Sequence, residues 1–110
     1  MSRQEDKIRE IVRKDARFAS AAYYFVFEAL AYTVNKLGRT SQEDDERHVS
    51  GGELLGGVRD FALDQFGALA RVVLQSWGVQ RTEDIGAIVF NLVEAELLFR
   101  KPEDTIEQFE

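Results

Sequence analysis

Apolar side chains recur along the chain at intervals of three and four residues, the spacing that places them on one face of an α-helix. Residues 4–14 show one narrow apolar stripe in an otherwise charged segment. Residues 20–37 are apolar on almost every side and contain a single acid, Glu28. This second pattern predicts a central helix that neighbouring helices contact from several directions.

Three further helices are predicted in the second half of the chain. The third begins at Ser50 and is bent or ended by Gly67, and the fourth covers residues 68–77 and stops at Gly78. The fifth begins at Thr82, where two acids in the first turn favour the positive end of the helix dipole, and its apolar pattern runs to residue 99.

The segments RVVLQSW and AIVFNLV have the β-branched residues typical of strands, but their spacing fits helices better than alternation. We therefore expect an all-α fold: one compact domain over residues 1–110, a bundle of about five helices. The ends, 1–3 and 103–110, are expected to be flexible.

Composition narrows the class of protein. The chain has no cysteine, which excludes disulfides, zinc–thiolate sites and iron–sulfur clusters. Four consecutive acids at 43–46 lack the spacing and glycine of a calcium loop, so we expect no metal and no cofactor. The charged N-terminus lacks the apolar core of a signal peptide, and residues 18–34 are marginal in length for a membrane span. We expect a cytoplasmic protein with no membrane contact.

Net charge argues against nucleic acid as a partner. The chain carries a formal charge of −6, and an acidic surface repels phosphate backbones. Residues 1–17 hold six basic and four acidic side chains, whereas residues 79–110 hold three basic and eight acidic ones. The aromatic residues lie in neutral or acidic surroundings, so we expect them in the core or at an interface.

The stretch RHVSGGELLGG supplies most of the candidate site residues. Ser50 and Glu53 have the spacing of a capping box, which closes a helix start by itself. The alternative is an anion site or an enzymatic site at this helix start. Its candidate residues are Arg47, His48, Ser50, Gly51 and Gly52, and His48 is the only histidine of the chain.

Glu28 is the other candidate, because it interrupts the apolar second helix. A partly buried carboxylate needs a partner, and Arg59, Arg71 or a tyrosine would serve. A functional carboxylate and simple exposure are the alternatives. Asn91 and Glu94 interrupt the fifth helix in the same way and would join the same polar seam.

Gly56 and Gly57 lie inside the third helix, where each costs about 1 kcal/mol relative to alanine. Such a cost favours the close approach of another helix at this point. The aromatic second helix is the simplest neighbour.

The segments RHVSGGELLGGVRDFALDQFG, VVLQSWGV, RTEDIG and IVFNLVEAELL resemble a family of short bacterial proteins with no assigned activity. The similarity covers nearly the whole chain. The family pattern has glycine where this chain has Glu96 and often proline where it has Ala68. The resemblance implies a stand-alone cytoplasmic domain and carries over no catalytic residue.

A looser similarity links residues 82–105 to the late part of a winged helix–turn–helix, so the C-terminal half would be winged-helix-like. A recognition helix contacts DNA through basic or amide side chains. Residues 82–99 contain four acids and no lysine or arginine. DNA binding by this helix is therefore not expected.

Three functions follow as hypotheses. The leading one is a non-enzymatic module that works through protein contacts, with a partner protein or as a homodimer, because two of the helices have more apolar surface than a small bundle covers. The others are an anionic-ligand or enzymatic site near His48 and a winged-helix transcriptional regulator.

Overall fold

The computed structural model describes residues 3–36 and 50–98 of the chain. These ranges contain five α-helices and no strand, so the all-α prediction is confirmed. A 3₁₀ turn, Gly67–Leu69, connects the third helix to the fourth. The helices are α1 Arg3–Lys14, α2 Ser20–Lys36, α3 Gly51–Phe66, α4 Ala70–Ser76 and α5 Thr82–Glu94.

Helix α2 is the centre of the fold, as its apolar pattern predicts. It packs most extensively against α3 and also contacts α5 and α1. Tyr23, Val26 and Ala29 of α2 are fully buried, and so are Ile88 and Leu92 of α5. An apolar side chain of this size gains about 1.5–3 kcal/mol on burial, so this layer supplies much of the stability.

The end of α4 is tied to the connection between α1 and α2. Gly78 has a φ of 96°, a left-handed conformation that favours glycine, and its backbone lies against the carbonyl of Arg17. The N–H of Ala19 donates to the carbonyl of Trp77 at 3.0 Å. The glycine stop is confirmed, and it also permits this close approach.

Helix α4 is shorter and more exposed than its pattern suggests. The 3₁₀ turn takes up the first residues, and only Ala70 of the helix is buried. Leu69 and Val72 are 64% and 61% exposed. The physical reason is that, among the described elements, α4 packs chiefly against one helix, α3, and the 3₁₀ turn.

Helix α5 ends at Glu94, five residues before the end of its apolar pattern. Glu96 follows with a φ of 62°, the left-handed conformation that stops a helix. The N–H of Leu97 donates to the carbonyl of Leu92 and that of Glu96 to Val93, each at 2.9 Å. This is the Schellman arrangement, formed here without the usual glycine.

The glycine pair of α3 divides into two environments. A β-carbon at Gly57 would lie 2.8 Å from the Cβ of Thr33 in α2, so the predicted close approach is confirmed there. The same prediction is wrong for Gly56, which is exposed and has nothing within 4 Å of that position. The neighbour is a threonine and not one of the aromatic residues.

Several predictions fall on residues 1–2, 37–49 and 99–110, which lie outside the described residues. They include the acids at 43–46, most of the segment after α5 that was compared with a wing, and most of the two ends. In the two ranges that the structure does describe, every helix falls short of the length and apolarity that crossing a bilayer requires.

Candidate functional site

The start of α3 is closed by its own side chains. The Ser50 hydroxyl accepts a hydrogen bond from the N–H of Glu53 at 3.0 Å. The Glu53 carboxylate accepts one in return from the N–H of Ser50 at 2.8 Å. The capping box is therefore formed, with Gly51 buried beneath it and Gly52 exposed beside it.

The candidates Arg47 and His48 lie outside the described residues. The capping box explains the serine and the glutamate without a ligand, because each satisfies a backbone N–H of the other's residue. The anion site and the enzymatic site near His48 stay predictions.

Glu28 is exposed, and the expectation of a partly buried carboxylate is wrong. It lies beside a groove in the surface that residues of α3 and Trp77 also line. Its neighbours in that groove are aromatic rings and an amide, and neither Arg59 nor Arg71 is among them.

That groove, which we call the aromatic groove, is an open concavity of about 310 Å³. Helix α2 forms one wall, and the end of α3 with the last residues of α4 forms the other. The α2 residues recur at the helical spacing i, i+3, i+4, i+7, so they form one stripe. The lining consists of Ala21, Tyr24, Phe25, Glu28, Phe61, Gln65, Phe66 and Trp77.

The rings of the groove pack on one another around Phe25. Its ring centroid lies 5.1 Å from that of Phe61, 5.7 Å from that of Phe66 and 5.5 Å from that of Trp77. Phe66 and Trp77 meet edge to face at 5.9 Å with an interplanar angle of 78°. Such pairs gain about 0.5–1.5 kcal/mol beyond area burial, so the walls are held in fixed orientations.

The aromatic groove carries negative charge. Among the described residues that line it, Glu28 is the only carboxylic acid, Gln65 adds an amide, and lysine, arginine and histidine are absent. Phe25 and Phe61 are buried and form the floor, whereas Tyr24, Phe66 and Trp77 are half-buried and present surface to solvent. The arrangement suits a ligand that combines apolar surface with positive charge.

A separate polar network joins α5 to the α1–α2 connection. The Asn91 side-chain amide donates to Tyr23 Oη and to Asp15 Oδ2, both at 3.1 Å. Asp15 also accepts two hydrogen bonds from the Arg17 guanidinium, at 2.7 and 2.9 Å. Asn91 therefore belongs to a polar network, but the predicted seam that joins it to Glu28 and Glu94 is wrong, because Glu28 lines the aromatic groove and Glu94 is exposed.

The network changes the acidity of two of its members. Hydrogen bonds from the Arg17 guanidinium hold the pKa of the Asp15 carboxyl well below its usual range. Burial raises the pKa of the Tyr23 phenol. Asp15 is thus ionised and Tyr23 neutral near pH 7, and the network fastens three segments of chain together.

An apolar patch, which we call the corner patch, surrounds the turn between α3 and α4. Leu63, Leu69 and Val72 are 53%, 64% and 61% exposed and lie within ten residues of chain. Phe90 of α5 is the fourth large apolar residue with this exposure, at 47%. In the part of the chain that the structure describes, no cluster of three metal-ligating side chains is present.

The aromatic groove and the corner patch were not identified from the sequence. The i, i+3, i+4, i+7 spacing of the α2 stripe was available, but the partner face of α3 and α4 depends on how the helices pack. No protein-family model, curated protein or solved structure matches this chain. The resemblance to the bacterial family stays a prediction.

Proposed function

We propose that this chain is a non-enzymatic cytoplasmic module that works through contacts with protein, either a partner or a second copy of itself. We also propose that the chain belongs to the bacterial family that it resembles. The observation that carries it is the corner patch, where three large aliphatic side chains expose more than half of their surface.

Single exposed apolar residues are normal on a protein surface and need no explanation. The corner patch differs because its three members lie within ten residues: Leu63 in the last turn of α3, Leu69 in the 3₁₀ turn and Val72 in the short helix α4. Phe66 and Trp77, which wall the aromatic groove, belong to the same corner. Exposed aliphatic side chains and the Phe66 ring of the groove are therefore close neighbours in the chain at this turn, and apolar and aromatic residues are typical of interface centres.

The first test measures self-association. Light scattering with size-exclusion chromatography gives the molar mass across a range of concentrations. A dimer that the double variant L69S/V72S converts to a monomer supports a contact between copies. The matched control is F90S, which removes a comparable exposed apolar residue from α5 and should leave the dimer intact.

The second test addresses a different partner protein. A photo-crosslinking amino acid replaces Val72 in the source cell, and the same residue replaces exposed Gln80 as the control. A crosslinked protein that appears at position 72, is absent at position 80 and disappears when L69S is added supports the proposal. A monomer at all concentrations together with no crosslink at position 72 contradicts it.

A further inference from the structure

We propose that the aromatic groove binds a lysine or arginine side chain, presented by the partner on a segment that also carries apolar residues. This inference rests on the proposed function and specifies the chemistry of the partner. Its ligand is a basic, apolar peptide segment, and its site is the surface between α2, the end of α3 and the end of α4.

The rings provide the first part of the recognition. A cation is attracted to the face of an aromatic ring, most strongly to tryptophan, within about 6 Å of the centroid. Phe66 and Trp77 stand at 78° to each other and Phe25 packs against both, so the groove has a floor and a corner made of rings. Their mutual packing fixes these orientations before a ligand arrives.

Glu28 provides the second part. It lies one helical turn after Tyr24 on the same α2 stripe and is exposed, and among the described lining residues it is the only charged one. A lysine or arginine whose apolar stem rests on the rings can place its charged end at this carboxylate. Gln65 on the opposite wall adds a side-chain carbonyl that can accept a further hydrogen bond.

The volume fits a side chain. A groove of about 310 Å³ lies at the lower end of the range of roughly 300–1,000 Å³ for ligand pockets. It is open along one side, so the backbone that carries the basic residue can remain outside. The neighbouring apolar residues of that segment then meet the exposed edges of the rings.

Charge favours a different protein over a second copy as the source of the basic residue. The chain carries −6 overall, and an acidic surface attracts a basic partner. Several of its own cations are already paired with its own carboxylates. These pairs are Arg9 with Asp6, Arg13 with Glu10, Arg17 with Asp15 and Lys36 with Asp60.

The groove contains its own reporter, because Trp77 is the only tryptophan of the chain. We would titrate the full chain with an acetylated and amidated pentapeptide of three leucines and two arginines and follow Trp77 fluorescence. Two comparison peptides replace the arginines with glutamates or the leucines with serines. The expected result is a saturable change with the first peptide and a weaker response with both others.

Glu28→Gln removes the charge at an exposed position and should leave the fold intact, which circular dichroism checks. We expect it to weaken binding of the leucine–arginine peptide by roughly three- to tenfold, the size of one ion pair near aromatic surface. Glu94→Gln, an exposed acid on α5 outside the groove, is the matched control and should leave the affinity unchanged.

Three results of the peptide titrations would overturn the inference. They are a Trp77 signal that does not respond to the arginine peptide, equal binding of the glutamate peptide, and equal weakening by the two glutamine variants. A Trp77 signal that changes with protein concentration alone would assign the groove to a second copy and would also overturn it. Because the crosslink at position 72 does not depend on Glu28, failure here leaves the proposed function separately measurable.

Discussion

Gly57 of α3 lies directly against Thr33 of α2, at the closest approach of the two helices. A β-carbon at position 57 would lie 2.8 Å from the Thr33 Cβ and closer still to its hydroxyl oxygen. Thr33 is buried, and its hydroxyl donates to the carbonyl of Ala29 at 2.7 Å. The threonine therefore cannot move aside without losing a buried hydrogen bond.

We predict that Gly57→Ala lowers the free energy of unfolding by about 1–3 kcal/mol, since an added methyl group in a packed contact forces the helices apart. Urea denaturation followed by circular dichroism measures the change. The double variant T33A/G57A should recover part of the loss because the hydroxyl is removed.

Gly56→Ala is the matched control, one residue away in the same helix. Its β-carbon would meet nothing within 4 Å, so only helix propensity changes. We expect the free energy of unfolding to rise by about 1 kcal/mol. If the two alanine variants change stability in the same direction, the assignment of Gly57 as the contact position is wrong.

Glu96 has the left-handed conformation that most residues avoid, and it ends α5. We predict that Glu96→Gly raises the free energy of unfolding by about 0.5–1 kcal/mol, because glycine adopts this conformation without steric cost. Thermal unfolding measured by circular dichroism would show a higher Tm.

Glu96→Ala separates conformation from charge at this position. Alanine removes the carboxylate but keeps the β-carbon, so it should give little or none of the stabilisation expected for glycine. Equal gains in both variants would mean that the charge, and not the left-handed backbone, limits stability here.

Asp15 gives stability a defined pH dependence. Its pKa is lowered in the folded state by the Arg17 guanidinium, so its contribution is complete above the unfolded value of about 3.9 and is lost as the pH falls below it. We predict that Asp15→Asn costs about 1–2 kcal/mol at pH 7 and much less at about pH 2, because the lowered pKa keeps the folded-state carboxylate ionised until the pH is well below that unfolded value. Urea denaturation at both values measures the difference.

Asp6→Asn is the control for this prediction. Asp6 also faces an arginine, Arg9, but at 3.9 Å and with 60% of its side chain exposed. Exposed pairs of this kind contribute about 0–1 kcal/mol. A cost for Asp6→Asn as large and as dependent on pH as that for Asp15→Asn would contradict the role given to the network.

Local signals explain why the helix starts and stops were predictable. Ser50 with Glu53 and the turn at Gly78 act through the residues next to them, so the sequence alone contains their causes. The end of α5 was missed because Glu96 takes a conformation that its residue type disfavours.

The surfaces were not predictable because they depend on which helix covers which face. Glu28 was expected to be buried since its neighbours in the sequence are aromatic, yet α2 leaves that face beside an open groove. Leu69 and Val72 have the spacing of a core face and remain exposed because, among the described elements, α4 packs chiefly against α3 and the 3₁₀ turn. Apolar periodicity identifies a helix but not the number of its neighbours.

The capping box at α3 leads to the last prediction, which also bears on His48. Ser50→Ala removes the acceptor for the Glu53 N–H and should lower the free energy of unfolding by about 1 kcal/mol, while Ser50→Thr should keep most of it. His48→Ala should leave stability unchanged if the cap works alone. An equal loss of unfolding free energy in His48→Ala and Ser50→Ala would show that the histidine takes part in this helix start. A thermal-shift comparison of both variants with added phosphate would then test the anion site directly.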